Sequence, residues 1–244
     1  MAYDFFKVYM CRIFESNGLE KYLTTRNVRN FYKLTGIMTE KNDVMNITAI
    51  HDIEKVIALH HADCLKIADY IPEGAEVIDV GCGGGFPTLP LAIVRPDIHI
   101  TALDSTQKKV LYVEETAREL GLDNVRAISG RAEELSKLPS MREAFDVAVS
   151  RAVARLNILD ELCLPFVKIG GRAVFMKGAD GENEYIEAEK GIESLGGGKC
   201  QMIKEKLIVD EEVSEKRTQI IVEKLLKTHE KYPRQFGQIK KKPL

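Results

Sequence analysis

The stretch "VIDVGCGGGFPTLP", residues 77–90, decides the fold of this protein. Four glycines at positions 81, 83, 84 and 85 follow directly on a run of β-branched residues, and apolar residues then resume. A glycine-rich turn between a strand and a helix directs backbone N–H groups and the positive end of the helix dipole into one small space. The pattern therefore predicts a site for a nucleotide-like ligand after the first strand of an α/β sheet.

Composition narrows the class of protein. The chain has 244 residues, 45% hydrophobic and 30% charged, with a formal net charge of -2, which is typical of a soluble globular protein and does not by itself indicate nucleic acid binding. The five cysteines form no C-x-x-C pair, so neither a disulfide framework nor a metal site is expected. The amino terminus lacks the pattern of a signal peptide, and no apolar run reaches the length of a membrane span, so we expect a cytoplasmic protein.

The chain divides into three predicted parts: a helical extension at 1–72, a main α/β domain at 73–226 and a basic tail at 227–244. Apolar residues recur at helical spacing in the extension and predict three helices, the third beginning behind a cap at Asp52. A polar link, residues 35–51, is expected between the last two. The tail is rich in lysine, proline and glycine, and we expect it to lack regular structure.

The main domain alternates short β-rich runs with helical segments, which predicts a mostly parallel sheet. The runs are "EVIDV", "IHITAL", "NVRAIS", "FDVAVS" and "RAVFMK". After a loop at 196–200, "EKLIV" and "RTQIIVE" flank an acidic segment and predict a hairpin, so that the last strand of the sheet is antiparallel.

The spacing of the glycines separates two nucleotide classes. A dinucleotide fingerprint needs a third glycine where Phe86 stands, so a pyrophosphate ligand is disfavoured. The pattern Asp-x-Gly-x-Gly-x-Gly resembles the first motif of the class I S-adenosylmethionine-dependent methyltransferases. Asp104, at the end of the second strand, is placed to accept hydrogen bonds from ribose hydroxyls, and Ala132 and Glu133 follow the third strand, where that superfamily borders the adenine. The alternative is that the glycines only form a tight turn and that Asp104 only caps a helix.

The residues after the fourth strand bear on the substrate. "SRAVARL", residues 150–156, contains no Asp/Asn-Pro-Pro-aromatic motif for amine methylation and no Pro-Cys or Thr-Cys nucleophile for carbon methylation. Cys163 is expected to pack in the core, as free cysteines mostly do. The acceptor atom is therefore expected to be reactive without activation.

Several stretches, in order, resemble one family closely from about residue 35 to the end. They are "MNITAI", "HHADCL", "DVGCGGGFPTLPLAI", "LDSTQKK", "GRAEE", "SRAVARLNILDELCLPFVKIGG" and "YPRQFGQIKKKPL". They are similar to the bacterial glucose-inhibited division protein B family, also called RsmG. The resemblance implies transfer of a methyl group from S-adenosyl-L-methionine to N7 of a guanosine in the 530 loop of 16S rRNA, position 527 by family resemblance, within a small ribosomal subunit or an assembly intermediate. It implies no obligate protein partner.

The resemblance also assigns residues. Guanine N7 has an in-plane lone pair and no proton, so no general base is expected, and Arg151 is assigned a positioning role towards either the methionine carboxylate or the RNA. The implied cofactor-binding residues are Gly81, Gly83, Phe86, Asp104, Ser105, Thr106, Ala132, Glu133 and Arg151.

The candidate RNA-binding residues come from local charge and from motif positions. They are Asn46, His60, Lys177, Arg234, Lys240 and Lys241. Two interpretations remain open for His60 and Asp63, namely a contact between the extension and the sheet or a part of the RNA entrance. A basic tail also has the plain alternative of keeping a protein soluble. A small-molecule methyltransferase and an S-adenosylmethionine-binding regulator are the rival functions, and a dinucleotide-binding oxidoreductase is a distant one.

Overall fold

The computed structural model describes residues 2–151 and 153–244, and within them a sheet of seven strands forms the centre of the protein. The strand order is β3-β2-β1-β4-β5-β7-β6. The strands are β1 Glu76–Val80, β2 His99–Asp104, β3 Val125–Ser129, β4 Phe145–Arg151, β5 Val167–Lys177, β6 Gly197–Ile208 and β7 Ser214–Lys224.

Helices cover both faces of the sheet. The amino-terminal part contains α1 Tyr3–Ser16, α2 Thr25–Met45, and a third helix in which π-helical turns at Ile57–Ala62 join α3 Ile53–Val56 to α4 Asp63–Leu65. The remaining helices are α5 Thr88–Val94, α6 Gln107–Leu120, α7 Ala132–Leu135, α8 Leu156–Cys163, α9 Gly181–Ser194 and α10 Phe236–Lys241. No helix in residues 2–151 and 153–244 is long and apolar enough to cross a membrane.

The sheet confirms the predicted class. Strands β1 to β5 pair in parallel, and β7 runs antiparallel between β5 and β6, as the predicted hairpin requires. Alternate strand residues face two cores. Val77 and Val149 pack in the core that contains the amino-terminal helices, and Ile78 and Ala148 pack in the opposite core with α8 and α9. The extension is thereby fixed to one face of the sheet.

Three expectations about local structure are wrong. Residues 35–45 of the expected polar link belong to α2, because Phe31, Leu34 and Met38 continue one buried stripe through polar sequence. The expected loop at 196–200 enters β6 at Gly197, since pairing with β7 accommodates the glycines through a register shift. The tail contains α10, which buried Ile239 anchors to the core. The predicted cap at Asp52 is confirmed, because its carboxylate accepts from the Lys55 N–H.

Candidate active site

A cavity of about 540 Å³ opens at the carboxyl ends of β1, β2 and β4, where ligands bind in open α/β sheets. Every predicted cofactor residue lines it, together with Asn46 and His60 from the extension and Phe236 from α10. The predicted residues in the lining are Gly81, Gly83, Phe86, Asp104, Ser105, Thr106, Ala132, Glu133 and Arg151. The fold has therefore brought these nine residues, from four separate segments, to one cavity.

The glycines of the turn make room for two different groups, namely side chains of the protein and a ligand. A Cβ at Gly81 would lie 2.5 Å from the Val153 side chain, and one at Gly84 would lie 2.5 Å from Ile47, so these glycines let the protein's own side chains approach the backbone. Gly83 differs, because a Cβ there would have only the Gly81 carbonyl oxygen, 3.9 Å away, within reach. The bare backbone left open to a ligand is thus centred on Gly83, whose φ of 53° lies in the left-handed region.

Asp104 connects the two loops that form one wall of the cavity. One carboxylate oxygen accepts from the Gly83 N–H at 3.0 Å, and the other accepts from the Thr106 N–H at 2.8 Å. A carboxylate offers about four lone-pair positions, so each oxygen keeps capacity for a further donor. Asp104 therefore holds the two loops together, which is more than a local helix cap, and its role towards the ribose hydroxyls stays a prediction.

Asp79, at the base of the glycine turn, fixes the start of α5. Its Oδ2 accepts from the Thr88 hydroxyl at 2.6 Å and from the Thr88 N–H at 3.3 Å. Its Oδ1 has no hydrogen-bond partner among the described residues. Burial of this fully enclosed side chain raises its pKa to about 7. The turn is thus held between two carboxylates, Asp79 below and Asp104 beside it.

Arg151, the last residue of β4, forms its hydrogen bonds mainly with residues of the third helix. Its guanidinium donates to the Leu59 carbonyl oxygen at 2.9 Å, to Asp63 at 3.3 Å and to His60 Nδ1 at 3.1 Å. It also lies over the Phe86 ring, 5.5 Å from the centroid. The side chain has a fixed position at the edge of the cavity and retains 16% exposure.

Both ring nitrogens of His60 are engaged. Nδ1 is within hydrogen-bond distance of Arg151, which can only donate, so Nδ1 accepts and Nε2 carries the proton towards the Thr48 hydroxyl at 2.8 Å. Burial, and then the charge of Arg151, lowers the pKa of His60 to about 4. His60 is accordingly neutral near pH 7, and its ring stacks on Phe86 with centroids 4.8 Å apart.

Comparison with known proteins identifies the family. A family model described as rRNA small subunit methyltransferase G, GidB, matches residues 27–215. The chain belongs to this family. Proteins named ribosomal RNA small subunit methyltransferase G from Clostridium novyi and Clostridium botulinum are 40% and 42% identical over 221 residues, covering 90% of this chain and 90% and 91% of theirs.

The solved structures show the fold that the family shares with other methyltransferases. A SAM-dependent O-methyltransferase from Thermotoga maritima matches with a TM-score of 0.53 at 17% identity, covering 79% of this chain and 72% of its own. M. jannaschii TYW2 in complex with AdoMet matches with a TM-score of 0.52 at 18% identity, covering 67% and 75%. The predicted class I methyltransferase fold is confirmed, and S-adenosyl-L-methionine is the cofactor that this family and fold use.

Among the RNA-binding candidates of this family member, Lys177 and Arg234 each form an ion pair within the protein. Lys177 is buried, donates to the Ala154 carbonyl oxygen at 2.6 Å and pairs with Glu184 at 2.8 Å. Arg234 forms a forked ion pair with the fully buried Glu161, with Nη2 2.6 Å from Oε2. Lys177 is thus largely enclosed, whereas the Arg234 side chain keeps 23% exposure, and RNA binding by either residue stays a prediction.

The other candidates remain accessible. Asn46 lies in the left-handed region at the end of α2 and lines the cavity beside His60. Lys240 and Lys241 are exposed on α10, the helix that brings Phe236 to the cavity rim. The contact between extension and sheet that was one interpretation of Asp63 is present, because Asp63 bridges Arg151 and Arg217. In the described part of the chain, no group of three His, Cys, Asp or Glu side chains is arranged to hold a metal ion.

Sequence reasoning missed several residues of the site. Ile47 and Val153 occupy the space above the glycines, and Arg217 shares Asp63 with Arg151. Arg217 lies in a strand with no local motif, so no signal in the sequence identified it. The "YPRQFG" stretch did contain Phe236, but its place in the sequence does not reveal that α10 folds back to the cavity.

Proposed function

We propose that this methyltransferase transfers a methyl group from S-adenosyl-L-methionine to N7 of a guanosine in the 530 loop of 16S rRNA, in the cytoplasm. Membership of the rRNA small subunit methyltransferase G family supports the rRNA substrate. N7 as the acceptor atom is what the resemblance to this family implies, and the arrangement at the Arg151 end of the cavity supports it.

The residues of the cavity fit the cofactor. Gly83 presents open backbone, Asp104 has spare acceptor capacity for ribose hydroxyls, and Ala132 and Glu133 border the opposite end for the adenine. A volume of about 540 Å³ is within the range of small-molecule sites. When bound, S-adenosylmethionine supplies an electrophilic methyl group on a sulfonium.

The engagement of His60 supports an acceptor that needs no general base. His60 contacts Arg151 and is of a residue type that commonly acts as a general base, whereas Asp104 and Glu133, which also line the cavity, lie at the end of β2 and after the end of β3. Its Nδ1 is occupied by Arg151, and its Nε2 bears the proton. An acceptor that must lose a proton would find no free base there, whereas guanine N7 is an acceptor with a lone pair and no proton.

Catalysis by these residues is then positioning. Arg151, His60 and Phe86 form one packed group, with the guanidinium and the imidazole both against the Phe86 ring. A fixed wall of this kind orients the reacting base and excludes water, which is where the rate enhancement of such a reaction arises. The base must leave its stack to enter, as in other enzymes that modify bases.

The rim of the cavity provides the remaining RNA contacts. Asn46 on one side and α10 on the other, with Phe236 at the rim and Lys240 and Lys241 exposed, offer hydrogen bonds, an aromatic surface and positive charge. We propose as substrate 16S rRNA in a small subunit or an assembly intermediate, with no obligate protein partner.

The test is transfer of labelled methyl from S-adenosylmethionine to small subunits and to deproteinised 16S rRNA from cells that lack this gene. The modified site is mapped by reduction and strand cleavage at N7-methylguanosine. Label at a single guanosine of the 530 loop is the expected result. Label on another atom or another loop, or no label while the cofactor still binds, would contradict the proposal and favour a different acceptor.

A further inference from the structure

The outer face of α2 carries three cations in a row. Arg26, Arg29 and Lys33 are spaced by three and four residues, which places them on one side of the helix, and all three are exposed. The buried residues Phe31, Leu34 and Met38 occupy the other side. We name Arg26, Arg29 and Lys33 the α2 basic face.

None of these three side chains has an acidic partner among the described residues. Two other cations of the extension do have one: Arg12 pairs with Glu54, and Lys21 pairs with Asp69 at 2.6 Å. A cluster of three neighbouring cations repels itself, and the described residues supply no carboxylate that offsets the repulsion. The charge of the α2 basic face is therefore free to attract an anionic partner.

The α2 basic face borders a concave surface. Arg26, Arg29 and Lys33 line a cavity of about 500 Å³ together with Asn30, Tyr3 and Tyr32. The two tyrosine rings meet edge to face, with centroids 5.2 Å apart, and form a rigid wall. Guanidinium, ammonium, amide and aromatic groups around one cavity are the side-chain types that contact phosphates and sugars in RNA.

Gly36 continues the same side of the helix one turn further on. It is exposed, and a Cβ built there would meet no atom within 4 Å. Glycine is unfavourable in a helix interior relative to alanine, and nothing within the described residues requires it at this position. The bare backbone beside Lys33 leaves room for the close approach of a chain from outside the protein.

The α2 basic face is rigidly connected to the active site. The same helix ends at Met45, which lines the cofactor cavity. Sixteen residues of helix separate Arg29 from Met45, a distance of about 24 Å at 1.5 Å per residue. This separation is too large for contact with the nucleotide in the cavity, and suits RNA that lies several nucleotides away.

We propose that the α2 basic face binds the phosphate backbone of rRNA that flanks the methylated nucleotide. The inference rests on the proposed function for its rRNA substrate. Arginine forks match phosphate geometry, and a contact on a rigid helix at fixed distance from the cavity would help to set which nucleotide reaches it.

The test compares two charge-matched triple variants. One is Arg26→Glu/Arg29→Glu/Lys33→Glu, and the control is Lys190→Glu/Lys199→Glu/Lys206→Glu, which reverses three exposed lysines that line neither cavity. Methyl transfer to deproteinised 16S rRNA and to intact small subunits is measured for kcat and KM over a range of salt concentrations, with calorimetric S-adenosylmethionine affinity as a check on the fold. A neutral triple variant, Arg26→Gln/Arg29→Gln/Lys33→Gln, separates loss of contact from added repulsion.

We expect both α2 variants to raise KM for RNA, by about tenfold or more for the glutamate variant, with kcat and cofactor affinity unchanged. For the neutral variant, the slope of log KM against log salt concentration should decrease by about 2 to 3, because three phosphate contacts are lost. The control should retain the wild-type salt dependence.

Three outcomes would overturn the inference. If wild-type protein methylates the RNA and the α2 variants match the control, the face does not contact RNA. If the variants are impaired only on intact subunits, the face binds an acidic protein surface instead. If the wild-type protein methylates neither substrate, the proposed function itself is wrong, and the inference falls with it.

Discussion

The guanidinium of Arg151 lies 3.3 Å from the carboxylate of Asp63, and this ion pair joins the end of β4 to α4. The other oxygen of Asp63 accepts from Arg217 Nε in β7 at 2.8 Å. One carboxylate thus fastens the third helix to two strands that are not neighbours in the sheet. The same contact sets the position of Arg151 at the cavity.

Asp63→Asn should destabilise the protein by about 3 kcal/mol, because it leaves the largely buried Arg151 without its counter-charge and Arg217 with only the more exposed Glu215 as a partner. The measurement is the free energy of unfolding in urea. The matched control is Asp69→Asn, which breaks the exposed Lys21 pair and should cost less than about 1 kcal/mol. An equal loss of unfolding free energy in the two variants would show that Asp63 does not stabilise the packing of the third helix on the sheet.

Asp104→Ala should weaken S-adenosylmethionine binding by about a hundredfold, because the variant loses an acceptor and also releases the Gly83 and Thr106 N–H groups. Asp104→Asn, which keeps one acceptor oxygen, should lose less affinity. Isothermal calorimetry measures both, with the exposed carboxylate Asp123→Ala as the control. Unchanged affinity in Asp104→Ala would remove this residue from the cofactor site.

Gly84→Ala should destabilise the protein by about 1 to 3 kcal/mol, because the added Cβ would lie 2.5 Å from Ile47 Cγ2. Ile47→Ala removes the obstructing atoms, so the double variant should be less destabilised than the sum of the two single changes. A double-mutant cycle on unfolding free energies measures this coupling. Additive effects would mean that the Ile47 side chain does not limit the space available at Gly84.

The buried His61 should make stability depend on pH. Its Nε2 is hydrogen-bonded to the Thr35 hydroxyl, and burial, followed by the charges of His60 and Arg151, lowers its pKa to about 3. Its pKa in the unfolded chain is about 6.5. Below that pH the unfolded state binds a proton at His61, whereas the folded state leaves His61 unprotonated. The contribution of His61 to stability is present above pH 6.5 and is lost as the pH falls below it.

Between pH 7 and pH 5 this loss should amount to about 2 kcal/mol. Asp79 and Asp160 act in the opposite sense, since burial raises the pKa of these carboxyls to about 7 and about 8. The test therefore compares two proteins. Between pH 7 and pH 5, the free energy of unfolding of His61→Gln should fall by about 2 kcal/mol less than that of the wild type. His51→Gln, at an exposed histidine, should follow the wild type, and the same slope in all three proteins would contradict the assignment.

The sequence by itself determined the succession of strands and helices along the chain, the glycine turn and the place of Asp104 at the end of the second strand. These features depend on local pattern: β-branched runs, glycines at fixed spacing, and a carboxylate at the end of a strand, where parallel strands direct their carboxyl ends to one edge. The family followed from motifs in the right order, and the matching family model confirms it.

Only the tertiary structure decided which charged side chains are free. The sequence presents Lys177 and Arg234 as cations without visible partners, but folding pairs them with Glu184 and Glu161. The extent of α2 was decided in the same way, because its polar second half is helical where its buried stripe packs against the rest of the protein.

The contacts of Asp63 with Arg151 and Arg217 span 88 and 154 residues of chain. No local pattern encodes a pairing across such a separation, since it depends on how the third helix is placed on the sheet. The sequence thus specified the chemistry of the site, and the packing of the extension against β4 and β7 determined which side chains hold that site in place.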